Sequence, residues 1–347
     1  MPEVDSISIP APMKPVDKRP NDSNSVCGAY RNKKIVVTGG AGYLATNLVR
    51  RLGNTECEII RMGRDGSVFP EFKGKARVTN VSGDVRERVA WEKVLPEVNF
   101  IFHFAAQTSV LVAERDPRAD LEANVVPVLN LIEACRKKGC QPTVLFSSTA
   151  TVAGIPSRLP VDETHPDLPV TVYDTHKLIV EHYLKCFARE GAIRTAILRL
   201  ANVYGPGPKS SRSDRGILNQ MMRKALAGEA LTIYGPGEFL RDYVYVDDVI
   251  EAFLRAGRDI KRTNLHHFII GSGQGYTIAQ AIQLVSERAG KQIGRKVEVK
   301  HVQPPTELSP IESRNFVADP SLFSGTTGWK PSVSLPEGID LTLKALA

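Results

Sequence analysis

The stretch VVTGGAGYLATN, residues 36 to 47, joins a β-branched apolar run to a helical pattern through Gly39, Gly40 and Gly42. Glycine reaches positive φ without strain and leaves no Cβ between the backbone and whatever lies against it. At a strand-to-helix junction such a turn suits a phosphate. The first-turn N–H groups of a helix lack partners within the helix, and the helix dipole favours an anion there. An ordinary glycine-rich turn would look the same on its own, so the surrounding sequence has to decide.

Around this turn, apolar runs alternate with helical patterns. KIVVTG, CEIIRM, ARVTNVSGDV, NFIFHFAA, PTVLFSST and IRTAILRLANVYG read as strands. The segment after Gly42, WEKVLPEV, a single long LEANVVPVLNLIEACRKKG and YDTHKLIVEHYLKCFARE read as helices. This rhythm implies crossover units and predicts a doubly wound, mostly parallel (Rossmann) α/β sheet covered on both faces. The glycine turn then becomes the pyrophosphate turn of a dinucleotide site, with Ala45 at the third small position, where glycine or alanine permits close helix–strand packing. Three parts are expected: a flexible leader over residues 1–32, a dinucleotide-binding body over 33–205, and a smaller α/β substrate lobe over 206–347, some of whose segments return to the body. Helices are expected in that lobe at about 214–228, 248–257 and 277–290 and in the closing LPEGIDLTLKAL.

At 347 residues, 42% hydrophobic and 24% charged, the chain has enough apolar content for one large domain or two smaller ones. No run reaches the roughly 18 apolar residues of a membrane helix, and the N-terminus lacks a secretory layout, so a cytoplasmic protein without a membrane partner is expected. The five cysteines, Cys27, Cys57, Cys135, Cys140 and Cys186, show neither CxxC spacing nor a metal-ligand cluster, and are expected to be reduced. The net charge of +7 is dispersed, without a basic run interleaved with aromatics. That argues against nucleic acid and suits attraction of an anionic small substrate.

Cofactor choice should be written near the end of the second strand, where an acid on the ribose 2′-hydroxyl selects NAD. EIIRMGRDGS places Gly63 or Arg61 there, with Arg64 beside it and Asp65 following. The arginines suit a 2′-phosphate, so NAD and NADP both stay open. Asp84-Val85 fits a further loop that holds adenine, the carboxylate accepting from the exocyclic amine. YDTHK puts Tyr173 and Lys177 four apart on one helix face. A nearby ammonium favours the phenolate and brings tyrosine toward a working base. Thr149 closes a buried strand, placed to exchange a hydrogen bond with a substrate oxygen, and Asn202 closes another as a donor to phosphate or sugar.

Taken together, VTGGAGYLA, GDV, HFAAQ, EANVVPVLNLIEAC, SSTATVAG, YDTHK, RLANVYGPG, FLRDYVYVDDV and TGWKPSVSLPEGI resemble, in order, the extended short-chain dehydrogenase/reductase superfamily. Within it they resemble the nucleotide-sugar epimerase/dehydratase branch, specifically the UDP-glucose 4-epimerase type. The resemblance runs from about Lys33 to the C-terminus. It implies Tyr173 as base, Lys177 holding the nicotinamide ribose, and Thr149 as hydroxyl partner. It places Gly39, Gly42, Tyr43, Leu44, Arg61, Arg64, Asp84, Val85, Ala105, Ala106 and Asn124 around the dinucleotide, Asn124 as part of the wall. Gln107, Thr149, Asn202, Arg241 and Arg314 would face a nucleotide-diphosphate sugar, and a homodimer would form through the helices at about 120–138 and 173–190. In the 4,6-dehydratases an Asp-Glu pair follows the threonine; here Ala150-Thr151 stands instead, which implies C4 epimerisation on a retained cofactor, NAD in that reading. Ala153 replaces a tyrosine frequent in the family, opening space beside the sugar. The missing second-strand acid would also suit an NADPH-dependent 4-keto-sugar reductase, and a non-catalytic dinucleotide-binding regulator is the reading from another class.

Overall fold

The computed structural model describes residues 26–208, 216–304 and 309–347. Twelve strands are described: β1 (Lys34–Thr38), β2 (Glu58–Gly63), β3 (Arg77–Ser82), β4 (Phe100–His103), β5 (Thr143–Thr149), β6 (Arg194–Leu200), β7 (Asn202–Tyr204), β8 (Leu231–Tyr234), β9 (Leu240–Tyr245), β10 (His267–Ile270), β11 (Gly275–Thr277) and β12 (Val299–Val302). The main sheet has seven parallel strands in the order β10-β6-β5-β4-β1-β2-β3, with Ile35 opposite both Ile59 and Phe100. Strand order therefore reverses between β1 and β4, and the crevice at the carboxyl ends of those strands is the ligand position of an open α/β sheet. The doubly wound expectation holds.

Two apolar layers explain why the central strands read as nearly continuous hydrophobic runs. Side chains alternate across the sheet. Ile35, Val37, Phe102, Leu145 and Leu198 pack on one face with helices Tyr43–Leu52 and Val246–Arg258. Val36, Ile101, Val144, Phe146 and Ile197 pack on the other with Arg88–Val94, Val126–Lys138 and Val172–Arg189. Phe102 is fully buried between Tyr30, Phe104 and Phe253; cutting such a side chain to alanine costs about 3–5 kcal/mol.

The smaller lobe has its own core, built from Leu218, Met222, Leu231, Ile233, Ile282, Val285 and Ile339. It joins helices Ile217–Ala227, Ile278–Ile293 and Leu335–Leu346 to the β11-β9-β7 and β12-β8 sheets. Strand β10 and helix Val246–Arg258 return to the main body.

Several element boundaries differ from the sequence reading. The expected single helix over residues 121–139 is two, Pro117–Asn124 and Val126–Lys138. Pro127 has no N–H to give one turn back, so the ladder breaks at Val125. The expected strand through Ile193–Gly205 splits after Leu200: Ala201 N donates to Ile270 O at 2.9 Å, and β7 leaves to pair with β9. Within the expected leader, Val26–Tyr30 is a short 3-10 helix. Its Tyr30 is fully buried and donates to Leu254 O at 2.8 Å; the leader before Val26 lies outside the described residues. Among the described residues no helix is long and apolar enough to cross a membrane, and no His, Cys, Asp and Glu cluster could hold a metal.

One buried contact fixes the mouth of β1 and β4. Thr38 Oγ1 accepts from Phe104 N and Ala105 N at 3.1 and 3.0 Å, so its own proton goes to His103 Nδ1, 2.9 Å away. His103 is therefore neutral, and burial, reinforced by Lys177, pushes its pKa down to about 3. A base depressed on folding leaves the unfolded chain holding more protons between pH 6.5 and 3, so stability is lost as pH falls through that window. His267, pushed down to about 4 by burial and by Arg199 and Lys185, has the same sign. Urea melts from pH 7 to 4.5 should show falling stability, with a shallower slope in His103→Gln than in wild type; an identical slope would refute the assignment.

Candidate active site

The glycine turn lies at the switch point. Gly39 has φ +63, and a Cβ there would stand 3.0 Å from Ala105 N; a Cβ at Gly42 would stand 2.9 Å from Gly39 O. The turn closes through Gly42 N to Gly39 O at 2.7 Å, and no side chain caps helix Tyr43–Leu52. A cradle that side chains would fill, opening on a helix N-terminus, fits a dinucleotide pyrophosphate. Leu44 is half-buried on the first turn, and Ala45 is fully buried against the sheet. Ala105 and Ala106, half-buried after β4, form the facing wall.

Helix Val172–Arg189 brings the tyrosine and lysine to the end of β5. Thr171 caps it, accepting from Asp174 N at 3.1 Å. Tyr173 is 9% exposed and Lys177 3%. Lys177 Nζ donates to Ser147 O at 2.5 Å and lies 4.1 Å from the centre of the Phe146 ring. Burial pushes its ammonium down to about 7, opposed by Glu181 and Asp120. Thr149 Oγ1 lies 2.6 Å from Thr151 Oγ1 and accepts from Thr151 N at 3.2 Å.

The lobe supplies the opposite wall. Arg241 on β9 is buried, its guanidinium donating to the backbone carbonyls of Leu240, Glu312 and Arg314. Arg314 is buried beside it. Burial and Arg241 push its pKa down to about 10, and its buried Nε has no hydrogen-bond partner among the described residues. Asp174, next to Tyr173, is within electrostatic reach of Arg314. Two neighbouring buried guanidiniums favour an anion; Glu312 Oε2, 3.5 Å from Arg241 Nη2, and the field of Asp174 at Arg314 supply part of that charge. Asn202 is half-buried on β7, in register with Tyr243 of β9.

Other expected contacts sit differently. Arg61 is not free at the strand end. It is buried beneath Gly40, bonded to Asn80 Oδ1 and Pro70 O at 2.8 Å each, leaving the exposed Arg64 as the cation there. Asp65 accepts from Ser82 Oγ. Asp84 is clasped by Arg86 at 2.7 Å, which holds its carboxyl below the usual range, and Val85 gives its carbonyl to Trp91 Nε1. Tyr43 donates to Gly205 O at 3.1 Å. Gln107 and Asn124 both donate to the fully buried Asp120, which also holds His176 Nδ1 at 2.7 Å. Asn124 Oδ1 has no hydrogen-bond partner among the described residues. Ala153 does not open on the crevice; it is 4% exposed, in an apolar cluster with Val161, Ile269 and Phe316. Asp120 and Asp174 escaped the sequence reading, and Thr151 entered it only as the place of a missing acid. Asp174 stands inside YDTHK, and its charge beside the tyrosine was the available signal.

The NAD dependent epimerase/dehydratase family description fits residues 35–271. This chain belongs to that family. The UDP-glucose 4-epimerase of Mycolicibacterium smegmatis is 31% identical over 323 residues, 90% of this chain and 97% of the relative. Among solved structures, the UDP-glucose 4-epimerase of Thermotoga maritima with UDP-glucose is 32% identical with a TM-score of 0.80, covering 90% of this chain and 98% of its own. That of Thermus thermophilus in complex with NAD is 31% identical with a TM-score of 0.74, at the same coverages. The family's cofactor is the nicotinamide dinucleotide that the glycine turn predicts.

The arginine pair generates a ligand test that needs no turnover. Inorganic pyrophosphate at ten times its Kd should stabilise the protein by about 1.4 kcal/mol, read as a rise in Tm. Arg314→Gln should weaken that binding about tenfold, since a charged hydrogen bond is worth roughly 1.5–3 kcal/mol. Equal affinities would show that the pair is not an anion site.

Proposed function

We propose that this chain is a nucleotide-sugar 4-epimerase, with a UDP-hexose as first substrate to test. The observation that carries the reading is Lys177 reaching Ser147 O near the end of the strand that Thr149 closes, with Asp174, next to Tyr173, in the field of Arg314, while Ala150 and Thr151 offer no acid for eliminating water. In this reading Gly39 and Gly42 leave room for a dinucleotide pyrophosphate against the uncapped first turn of helix Tyr43–Leu52, and Lys177 holds the ribose. Bound nicotinamide supplies a hydride acceptor that later returns the hydride, so no net redox follows.

The chain's own groups do the rest. Lys177, as the nearby ammonium, favours the phenolate of Tyr173, which takes the proton of the sugar 4-hydroxyl. Thr149 bonds the same oxygen. Arg241 and Arg314 hold the diphosphate, while the 4-keto sugar turns between its two faces; arginine suits this because its fork matches phosphate oxygens. The body over 33–205, with β10 and helix Val246–Arg258 added, carries the dinucleotide, and the rest of 206–347 carries the nucleotide sugar. The same reading includes a homodimer through the outer faces of helices Pro117–Asn124, Val126–Lys138 and Val172–Arg189, where Leu121 and Tyr183 are exposed.

A second reading is kept by one observation: the end of β2 has Gly63 and the exposed Arg64 where an NAD-selecting acid would stand. Proton NMR of the protein with UDP-, GDP-, CDP- and dTDP-sugars, without added dinucleotide, separates the two. Accumulation of a C4 isomer from either direction is the expected result. Turnover only on adding NADPH and a 4-keto sugar would overturn the epimerase reading in favour of a reductase. Tyr173→Phe should lower kcat by about 10²- to 10⁴-fold, with the Kd for the nucleotide sugar little changed.

A further inference from the structure

Thr151 stands where the dehydratases of the resemblance above carry an acid, and helix Val172–Arg189 delivers a carboxylate to it. Asp174 is fully buried; it accepts from Thr171 Oγ1 at 2.7 Å and from Thr151 Oγ1. Thr151 Oγ1 in turn lies 2.6 Å from Thr149 Oγ1. Each hydroxyl has one proton to give. With the Thr151 proton on Asp174, the Thr149–Thr151 contact has to use the proton of Thr149. One lone pair of Thr149 takes Thr151 N at 3.2 Å, which leaves another for the crevice. A file of oxygens thus runs from Thr149, at the end of β5, to a buried carboxylate.

We propose that Asp174 is the terminal proton acceptor of a relay through Thr151 and Thr149, serving the sugar hydroxyl held at Thr149. The proposal rests on the epimerase reading and adds to Tyr173 a second destination for the proton. In the relay the substrate O–H bond breaks as Thr149 Oγ takes the proton. The former Thr149 proton passes to Thr151, and the Thr151 proton passes to Asp174, which becomes a carboxylic acid. The O–H electron pair becomes the C4=O π bond, and the C4–H pair leaves as hydride to the oxidised dinucleotide. Reduction of the ketone runs the same protons back. Burial favours the protonated acid and raises the Asp174 pKa, as a proton acceptor requires. Thr151 and Thr171 face its oxygens, Arg314 opposes the rise and Glu114 adds to it.

The test is a double-mutant cycle on the full-length enzyme with a proton inventory. Thr151→Val, Asp174→Asn and the double variant should each lose about 10²-fold in kcat, the low end for proton-transfer groups. The double should fall no further than the worse single, with KM for the nucleotide sugar within about threefold of wild type. Thr151→Ser, which keeps the hydroxyl, should restore most of the rate. The dependence of kcat on the D2O fraction should be bowed in wild type, where several protons move, and linear in Thr151→Val. A purely helix-capping Asp174 would leave Thr151→Val at wild-type kcat with an unchanged inventory, and that result overturns the relay alone. Additive losses would overturn it as well. A wild type inactive on every nucleotide sugar would overturn the epimerase reading and the relay that rests on it.

Discussion

The crevice depends on the register of helix Val172–Arg189 against β5 and β6. Three side chains on one face of that helix, at i, i+3 and i+7, fasten it: Asp174 to Thr151, Lys177 to Ser147 O, and Glu181 to Ser148 and Arg199. Each is buried, so water cannot stand in for a lost partner. A slip of one residue would break all three contacts and rotate Tyr173 off the crevice. The aim of the tyrosine thus follows in part from these residues of its own helix, which lie beneath and behind it.

Such an arrangement is costly by itself. Arg199 and Glu181 are 3% and 1% exposed, and Asp167 closes the group at 2.5 Å from Arg199. Desolvating ions cancels much of their mutual attraction, whereas leaving one of them unpaired costs about 3–5 kcal/mol. The cluster thus adds little to stability in the correct register and penalises every other. The buried Lys177 belongs to the same economy. It is kept by a carbonyl, an aromatic face and the field of Glu181, and the cost shows as a pKa brought down to about 7.

The body of the fold was legible because its signals are local. β1, the glycine turn and helix Tyr43–Leu52 follow from apolar periodicity and missing Cβ atoms, and YDTHK from a spacing of four. Two boundaries failed for local reasons given less weight than the hydrophobic pattern: Pro127 inside a helix, and Ala201 where the chain changes sheets. The polar anchors failed for a different reason. Asp120 meets His176 across 56 residues of chain, and Thr151 meets Asp174 across 23. No periodicity announces which buried carboxylate will meet which hydroxyl. Arg61 is the converse case: from the sequence alone an outward guanidinium could not be told from one turned under Gly40.

Helix Tyr43–Leu52 also carries a row of bonds on its outer side. Tyr43 reaches Gly205 O, Asn47 reaches Pro206 O at 3.1 Å, Arg50 pairs with Asp247 at 2.6 Å and Arg51 with Glu251 at 3.1 Å. Successive turns of the helix behind the glycine cradle are thus stitched to the chain as it enters the lobe and to helix Val246–Arg258. Arg50 and Arg51 lock two helices of one body together, while Tyr43 and Asn47 hold the point where the chain leaves that body. The cradle is therefore anchored to both, and any shift of the lobe's first residues pulls on the helix that faces the phosphate position.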